Sequence, residues 1–228
     1  MKNKTVEIIP ALMVRDYGDL EEKVETFVGL VRYVQLDIMD GKFVPNRSWP
    51  HTPGDVHFKK IEKEEEGLPC WNAIDFEVDL MVADPEQWVP RWVVAGARRI
   101  IVHIESMTDF EKIREAVPLD VVELGLAINT TTPLSALEPY LDRIEFIQCM
   151  GIAKIGFQGQ PFDERVLDHV SKIRARLPKM PISVDGAVNF ETAQSLVEAG
   201  ATRLVSGSAI LESEDIVCAI RNLENLVS

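Results

Sequence analysis

Residues 34–46 read "VQLDIMDGKFVPN". An apolar run ends in two aspartates, Asp37 and Asp40, with Gly41 and a proline-containing turn behind them. A strand that only built core would have little use for two carboxylates at its end, because an unpaired buried charge is costly. Those acids cap a helix, hold a loop or do chemistry. Which of these applies depends on the fold that ends a strand there.

The rhythm of the remaining chain supplies that fold. Short apolar, β-branched runs recur at 6–14, 32–39, 76–82, 98–104, 122–128, 144–152, 181–188 and 202–210. Amphipathic stretches such as "DLEEKVETFVGL" (19–30) and "ERVLDHVSKIRARL" (164–177) lie between them. Helix starts are expected at Asp84 before Pro85, Thr132 before Pro133, Asn189 and Ser213, and helix stops at Gly96 and Gly200. Strand then helix, eight times without a linker, predicts an α/β fold, a (β/α)8 TIM barrel of the phosphate-binding type, spanning residues 1–228 as one domain. The irregular zone at about 47–75 is expected to be an enlarged second βα connection, with "KKIEKEEE" (59–66) as a solvated helix face.

Composition narrows the partners. The 228 residues are 46% hydrophobic and carry a net charge of −13, which disfavours nonspecific binding to nucleic acid or an anionic membrane. An anionic ligand would need local helix termini and backbone amides to attract it against that field. Cys70, Cys149 and Cys218 form no CxxC pair, as expected of free thiols in a reducing cytoplasm. The N-terminal stretch has no apolar signal segment, and no apolar run is long enough to span a membrane.

Barrel enzymes place catalytic groups at the C-terminal ends of their strands. Those ends here hold Gln35, Asp37, Met39 and Asp40; Asp79 and Met81; His103 and Glu105; Asn129; Met150 followed by "GFQGQ" (156–160); Asp185-Gly186; and Ser206-Gly207-Ser208. Acids are therefore expected to approach the mouth from two opposite sides, with methionines between them.

Six segments in order resemble the ribulose-phosphate 3-epimerase family: "LDIMDGKFVPN", "DLMVADPE", "GLAINTTTPLSALEPYL", "GFQGQPF", "VDGAVN" and "AGATRLVSGSAI". The resemblance implies inversion of the carbon next to the ketone of a phosphorylated ketose, such as ribulose-5-phosphate or xylulose-5-phosphate, through an enediolate. It makes Asp37 and Asp185 the two acids that exchange protons with opposite faces. It makes Met39, Met81 and Met150 the walls around the reacting carbons, and Gly156, Gly159, Gly186, Gly207 and Ser208 the phosphate-binding rim. His103 matches a strand-four histidine of the family and is read as a core residue.

Departures from the family fall at the mouth. The family holds a divalent metal with two histidines and two aspartates. Here the histidine positions are Gln35 and Asp79, and a Pro-Ser near the N-terminus is Pro10-Ala11. Three outcomes stay open. Gln35, Asp37, Asp79 and Asp185 would form an all-oxygen site favouring magnesium or manganese over zinc or iron; the site would be metal-free, with the Gln35 amide on the enediolate; or His51 or His57 would fold in as a ligand. The oxygen site is preferred, because three converging carboxylates repel without a cation.

Two other functions compete with epimerisation. One is a different enzyme on a similar phosphate-binding barrel, a sugar-phosphate decarboxylase (lyase) or an aldose–ketose isomerase, whose chemistry also passes through an enediolate; the decarboxylases of this type resemble Asp-x-Lys-x-x-Asp, but "DIMDGK" has no lysine between its acids. Retention of both presumed acids counts against a non-catalytic sugar-phosphate binder. The family resemblance also implies a homo-oligomer.

Overall fold

A computed structural model describes residues 6–157 and 159–228. Eight strands, β1 (Glu7–Leu12), β2 (Tyr33–Met39), β3 (Asp75–Met81), β4 (Arg99–His103), β5 (Glu123–Ile128), β6 (Phe146–Met150), β7 (Ile182–Asp185) and β8 (Arg203–Ser206), follow one another in order around a closed barrel. The expected (β/α)8 fold is what forms, and each strand falls inside the apolar run that announced it except β3, which starts one residue earlier at Asp75. By its internal contacts the chain divides into two compact units, one of residues 11–125 and one of 1–10 with 126–228.

The unit of residues 11–125 contains β2, β3 and β4 and the helices α1 (Tyr17–Glu25), α2 (His57–Ile61), α3 (Pro85–Val94) and α4 (Phe110–Ala116). Helix α1 buries Tyr17, Leu20 and Val24, one side of a 3.6-residue repeat, and Asp16 caps it by accepting a hydrogen bond from the Asp19 amide at 2.9 Å. Pro85 occupies the first turn of α3, where its missing N–H costs nothing, and Gly96 follows with a φ of 92°. Strand β2 is buried along its whole length, as expected of a parallel strand covered on both faces.

The 35-residue span between β2 and β3 is the enlarged connection anticipated from sequence, but its charge run is mostly not helical. Helix α2 ends at Ile61, and Glu64 turns the chain with a φ of 59°. The inner part of this connection is core. Trp49 is fully buried and meets Phe58, Trp92 and Tyr17 edge-on, with ring centroids 5.5, 5.9 and 5.9 Å away. Its indole N–H donates to Asp55 Oδ1 at 2.6 Å, which satisfies the one polar atom that burial would otherwise strand.

The second unit contains β6, β7 and β8 with α5 (Arg165–Arg176), α6 (Ala193–Ala199), α7 (Ser208–Leu211) and α8 (Ile216–Leu226). Val166, Val170 and Ile173 form the buried stripe of α5. Three expected helix starts differ in detail. Asn189 holds the turn before α6, accepting from the Glu191 and Thr192 amides at 2.8 and 3.2 Å, while Thr192 is the helix cap. The segment after Thr132-Pro133 is a 3₁₀ helix, Leu134–Tyr140, interrupted by Pro139, which cannot donate the bond an α-turn would need. The cap of α8 is Asp215, whose carboxylate accepts from the Cys218 amide at 2.9 Å, and Ser213 lies two residues outside.

Trp49→Ala should cost about 3–5 kcal/mol, the usual range for emptying a buried tryptophan site. Urea denaturation would show it as a lowered midpoint with little change in slope.

Candidate active site

Strand register assembles the first part of the site. Strands β2 and β3 run parallel with Asp37 beside Asp79 and Met39 beside Met81. Because side chains alternate along a strand, Gln35, Asp37 and Met39 share one face of β2. All these side chains are buried, Asp79 completely. Gln35 donates from Nε2 to Asp37 Oδ1 at 2.9 Å. Its amide therefore supports the acid that lies two residues ahead on the same strand.

Asp79 has a cationic neighbour that the sequence reading left in the core. His103, the last residue of β4, places Nε2 3.1 Å from Asp79 Oδ1, and both side chains are fully buried. Burial by itself would lower the imidazole pKa, but Asp79, with Glu105 behind it, pushes it up to about 10. The contact with Asp79 thus favours the protonated form of the ring. The signal in the sequence was the His103-x-Glu105 spacing at a strand end, together with an aspartate one strand earlier.

The two aspartates of the opening stretch have different tasks. Asp40 accepts hydrogen bonds from the amides of Lys42 (2.8 Å), Phe43 (3.0 Å) and Ala83 (2.9 Å). It builds the turn after β2 and ties it to the end of β3, so Asp40 is a loop holder. Gly41 is required there: its φ is 75°, and a Cβ would lie 2.5 Å from the Arg47 side chain. Ser48 finishes the local frame, donating to the Asp37 carbonyl at 2.5 Å and accepting from the Met39 amide at 2.9 Å.

His51 and His57 are engaged in the wall. His57 stacks on Tyr17 with centroids 4.3 Å apart and contacts Glu66 through Nδ1 at 3.0 Å. His51 packs against Trp88 at 4.2 Å, and burial pulls its pKa down to about 4. Their expected alternative role as incoming metal ligands gains no support from these positions.

In the second unit, Asp185 ends β7 in register with Met150 of β6 and Val205 of β8. Gln148 Nε2 lies 3.5 Å from Asp185 Oδ2, a long contact, but one that sets a neutral amide beside this acid as Gln35 is set beside Asp37. Sequence reasoning missed Gln148, which follows from its position two residues before Met150. Gly186 continues from Asp185 with a φ of 100°, and Ala187 follows at 54°. The Gly151 amide donates to the Asp185 carbonyl at 2.6 Å, and a Cβ on Gly151 would lie 2.1 Å from the Gly186 oxygen. This close approach is open only to glycine.

The remaining rim residues also belong to this unit. Gly207 precedes α7, and its carbonyl accepts from the Ile210 and Leu211 amides. Ser206 Oγ donates to the Val188 carbonyl at 2.8 Å, which joins the end of β8 to the loop after β7. Gly156 is buried with a φ of 80°; Gly159 is exposed with a φ of 66° and open space around it.

Residues 7–211 match the model of the ribulose-phosphate 3 epimerase family. The chain belongs to that family. It is 30% identical over 224 residues to the chloroplastic ribulose-5-phosphate-3-epimerase of Arabidopsis thaliana, covering 95% of this chain and 75% of that protein. It is 28% identical over 224 residues to the ribulose-phosphate 3-epimerase of Bacillus subtilis (strain 168), covering 96% and 98%. Among solved structures, a 3-hexulose-6-phosphate synthase shares the fold with a TM-score of 0.71 over 97% of this chain and 100% of that one, at 17% identity. Within the epimerase family, then, this member carries Gln35 and Asp79 where the resemblance set histidines. Among the described residues no helix is long and apolar enough to cross a membrane.

Asp40 gives a pH prediction. Burial alone would raise its pKa, but the three amides hold it below the ordinary carboxylate value. Its contribution to stability is then complete above the unfolded pKa, about 3.9, and disappears as pH falls through the depressed folded value. Asp40→Ala should destabilise the fold by about 1.5–3 kcal/mol at neutral pH. The gap to the parent protein, measured by urea denaturation, should narrow below about pH 4.

Proposed function

We propose that this chain inverts the carbon next to the ketone of a phosphorylated ketose of the ribulose-5-phosphate type. The observation that carries this reading is the pair of strand-end acids, Asp37 and Asp185, each beside a glutamine amide within the stretch that matches the epimerase family. Inversion needs one group to take a proton from one face and a second to deliver a proton to the other. Asp37 and Asp185 do this in turn, one ionised when the other is protonated, so the reaction runs in either direction through an enediolate. Met39, Met81 and Met150, all buried, exclude water from the exposed carbanion character and keep the proton exchange on the two acids.

Phosphate is held by backbone amides around Gly186, Gly207 and Ser208, with Gly156 and Gly159 closing from the loop after β6. The opening amides of a helical turn such as α7 have no partners within that turn, and glycine lets the main chain come close to an anion. This local donor set works against the overall charge of −13.

A divalent cation fits the acids. Asp37 and Asp79 stand in register on neighbouring strands, both buried, and Asp185 is the third acid of the proposed site. With His103 protonated the four side chains sum to about −2 when all three acids are ionised, a charge that a divalent ion offsets. The donors are hard oxygens, so magnesium or manganese suits them better than zinc or iron. Bound there, such an ion supplies positive charge to the developing enediolate oxygens. Gln35 gives its amide nitrogen to Asp37, so its carbonyl oxygen is the atom it would add to this hard donor set.

Asp37→Asn and Asp185→Asn should each lower turnover by about 10²–10⁴-fold, the usual cost of losing a general acid or base, while the thermal midpoint stays close to the parent value. The assay is epimerisation of ribulose-5-phosphate in deuterated water with solvent label followed at the inverted carbon. Near-normal label incorporation by either variant would remove the two-acid mechanism.

A further inference from the structure

On the epimerase reading, Asp79 stands where the family's metal-binding histidine is missing, and its neighbour explains how a carboxylate works there. We propose that His103 is the positioning residue of Asp79, so that the two act as one unit built across β3 and β4. Four observations converge on it. The two side chains are fully buried and joined by a 3.1 Å contact from Nε2 to Oδ1. A carboxylate accepts hydrogen bonds and an imidazole must donate, so the proton on this side of the ring sits on Nε2. Behind it, Nδ1 faces Glu105 Oε2 at 3.8 Å, an ion-pair distance rather than a hydrogen bond. Phe43, from the turn that Asp40 builds, lies against the ring with centroids 5.5 Å apart. His103 is thus fixed from three sides, by Asp79, Glu105 and Phe43.

The consequence concerns the orientation of Asp79. The imidazole contact at Oδ1 sets the plane of the carboxylate from the β4 side. Carboxylates that bind metals are ordinarily oriented by such an outer hydrogen bond, and removing the outer partner commonly costs about 10–100-fold in metal affinity or activity. A core histidine that merely satisfied its own nitrogens would have no such effect.

The test compares His103→Gln, which keeps an amide donor, and His103→Ala, which keeps none, with Asp79→Ala and the double variant Asp79→Ala/His103→Gln. Binding of Mn²⁺ alone to chelator-treated protein is measured by calorimetry, and kcat, KM and the thermal midpoint are measured beside it. The expected result is a loss of Mn²⁺ affinity of about 10–100-fold in His103→Ala, a smaller loss in His103→Gln, lower kcat at unchanged KM, and no added loss from His103→Gln once Asp79 is alanine. Parent-like Mn²⁺ affinity and kcat in a folded His103→Gln and His103→Ala would overturn the proposal. If His103→Ala does not fold, His103→Gln alone decides it on the same criterion. If the parent binds no Mn²⁺ yet turns over, the metal reading falls by itself; His103 is then judged on kcat, and an unchanged kcat in His103→Gln overturns it. If the parent binds Mn²⁺ but epimerises no sugar phosphate, the epimerase reading falls and Mn²⁺ affinity decides the role of His103. A parent that does neither overturns both.

Discussion

Two carboxylates in register on neighbouring parallel strands set the terms for everything around them. Asp37 and Asp79 sit side by side on β2 and β3, out of water. Bringing like charges together under burial is unfavourable unless each finds a compensating partner. Each does, and the two partners differ. Asp37 receives a neutral amide from Gln35 of its own strand, and Asp79 faces the ring of His103 from the next strand, whose charged form the contact favours. On the proposed reaction, the difference suits the two acids. A group that must both give and take a proton is better served by a neutral donor than by a fixed cation, which would lock it ionised; a group that only needs to stay charged and still is served by the cation.

The enlarged connection between β2 and β3 is the frame that keeps this arrangement rigid. Its inner half buries Trp49 among Tyr17, Phe58 and Trp92, and Ser48 and Asp40 bond to the main chain at the strand ends. A long loop ordinarily carries unsatisfied backbone groups and moves. Here the side chains of the loop supply those bonds, and the aromatic cluster anchors it, so Phe43 has a defined position against His103. In the other unit, Gly151 does comparable work by letting two loops touch main chain to main chain.

Membership of the ribulose-phosphate 3 epimerase family coexists here with a changed strand-three residue. An aspartate is smaller than a histidine and adds charge. Here it is fully buried and meets the ring of His103 from the end of β4.

The sequence by itself determined the order and kind of the elements, because the alternation of β-branched runs with amphipathic stretches is a local property written into every segment. It also placed Asp37 and Asp185 at strand ends, since a strand's end is set by the turn residues Gly41 and Gly186 that follow. It separated the two acids of "LDIMDG" only as a question. Tertiary structure answered that question, because whether an aspartate accepts from the amides of Lys42, Phe43 and Ala83 depends on where residue 83 lies, 43 positions away. The same holds for His103. Along the chain it was one histidine in an apolar strand, and a contact with a residue 24 positions earlier gave it a charge and a partner. The 3₁₀ segment after Pro133 and the mostly non-helical charge run at 59–66 went the same way: local pattern suggested a helix, and chain geometry at Pro139 and Glu64 decided otherwise. Local periodicity fixes what each segment becomes; which side chains neutralise one another is decided by strand register, a long-range property that no single segment contains.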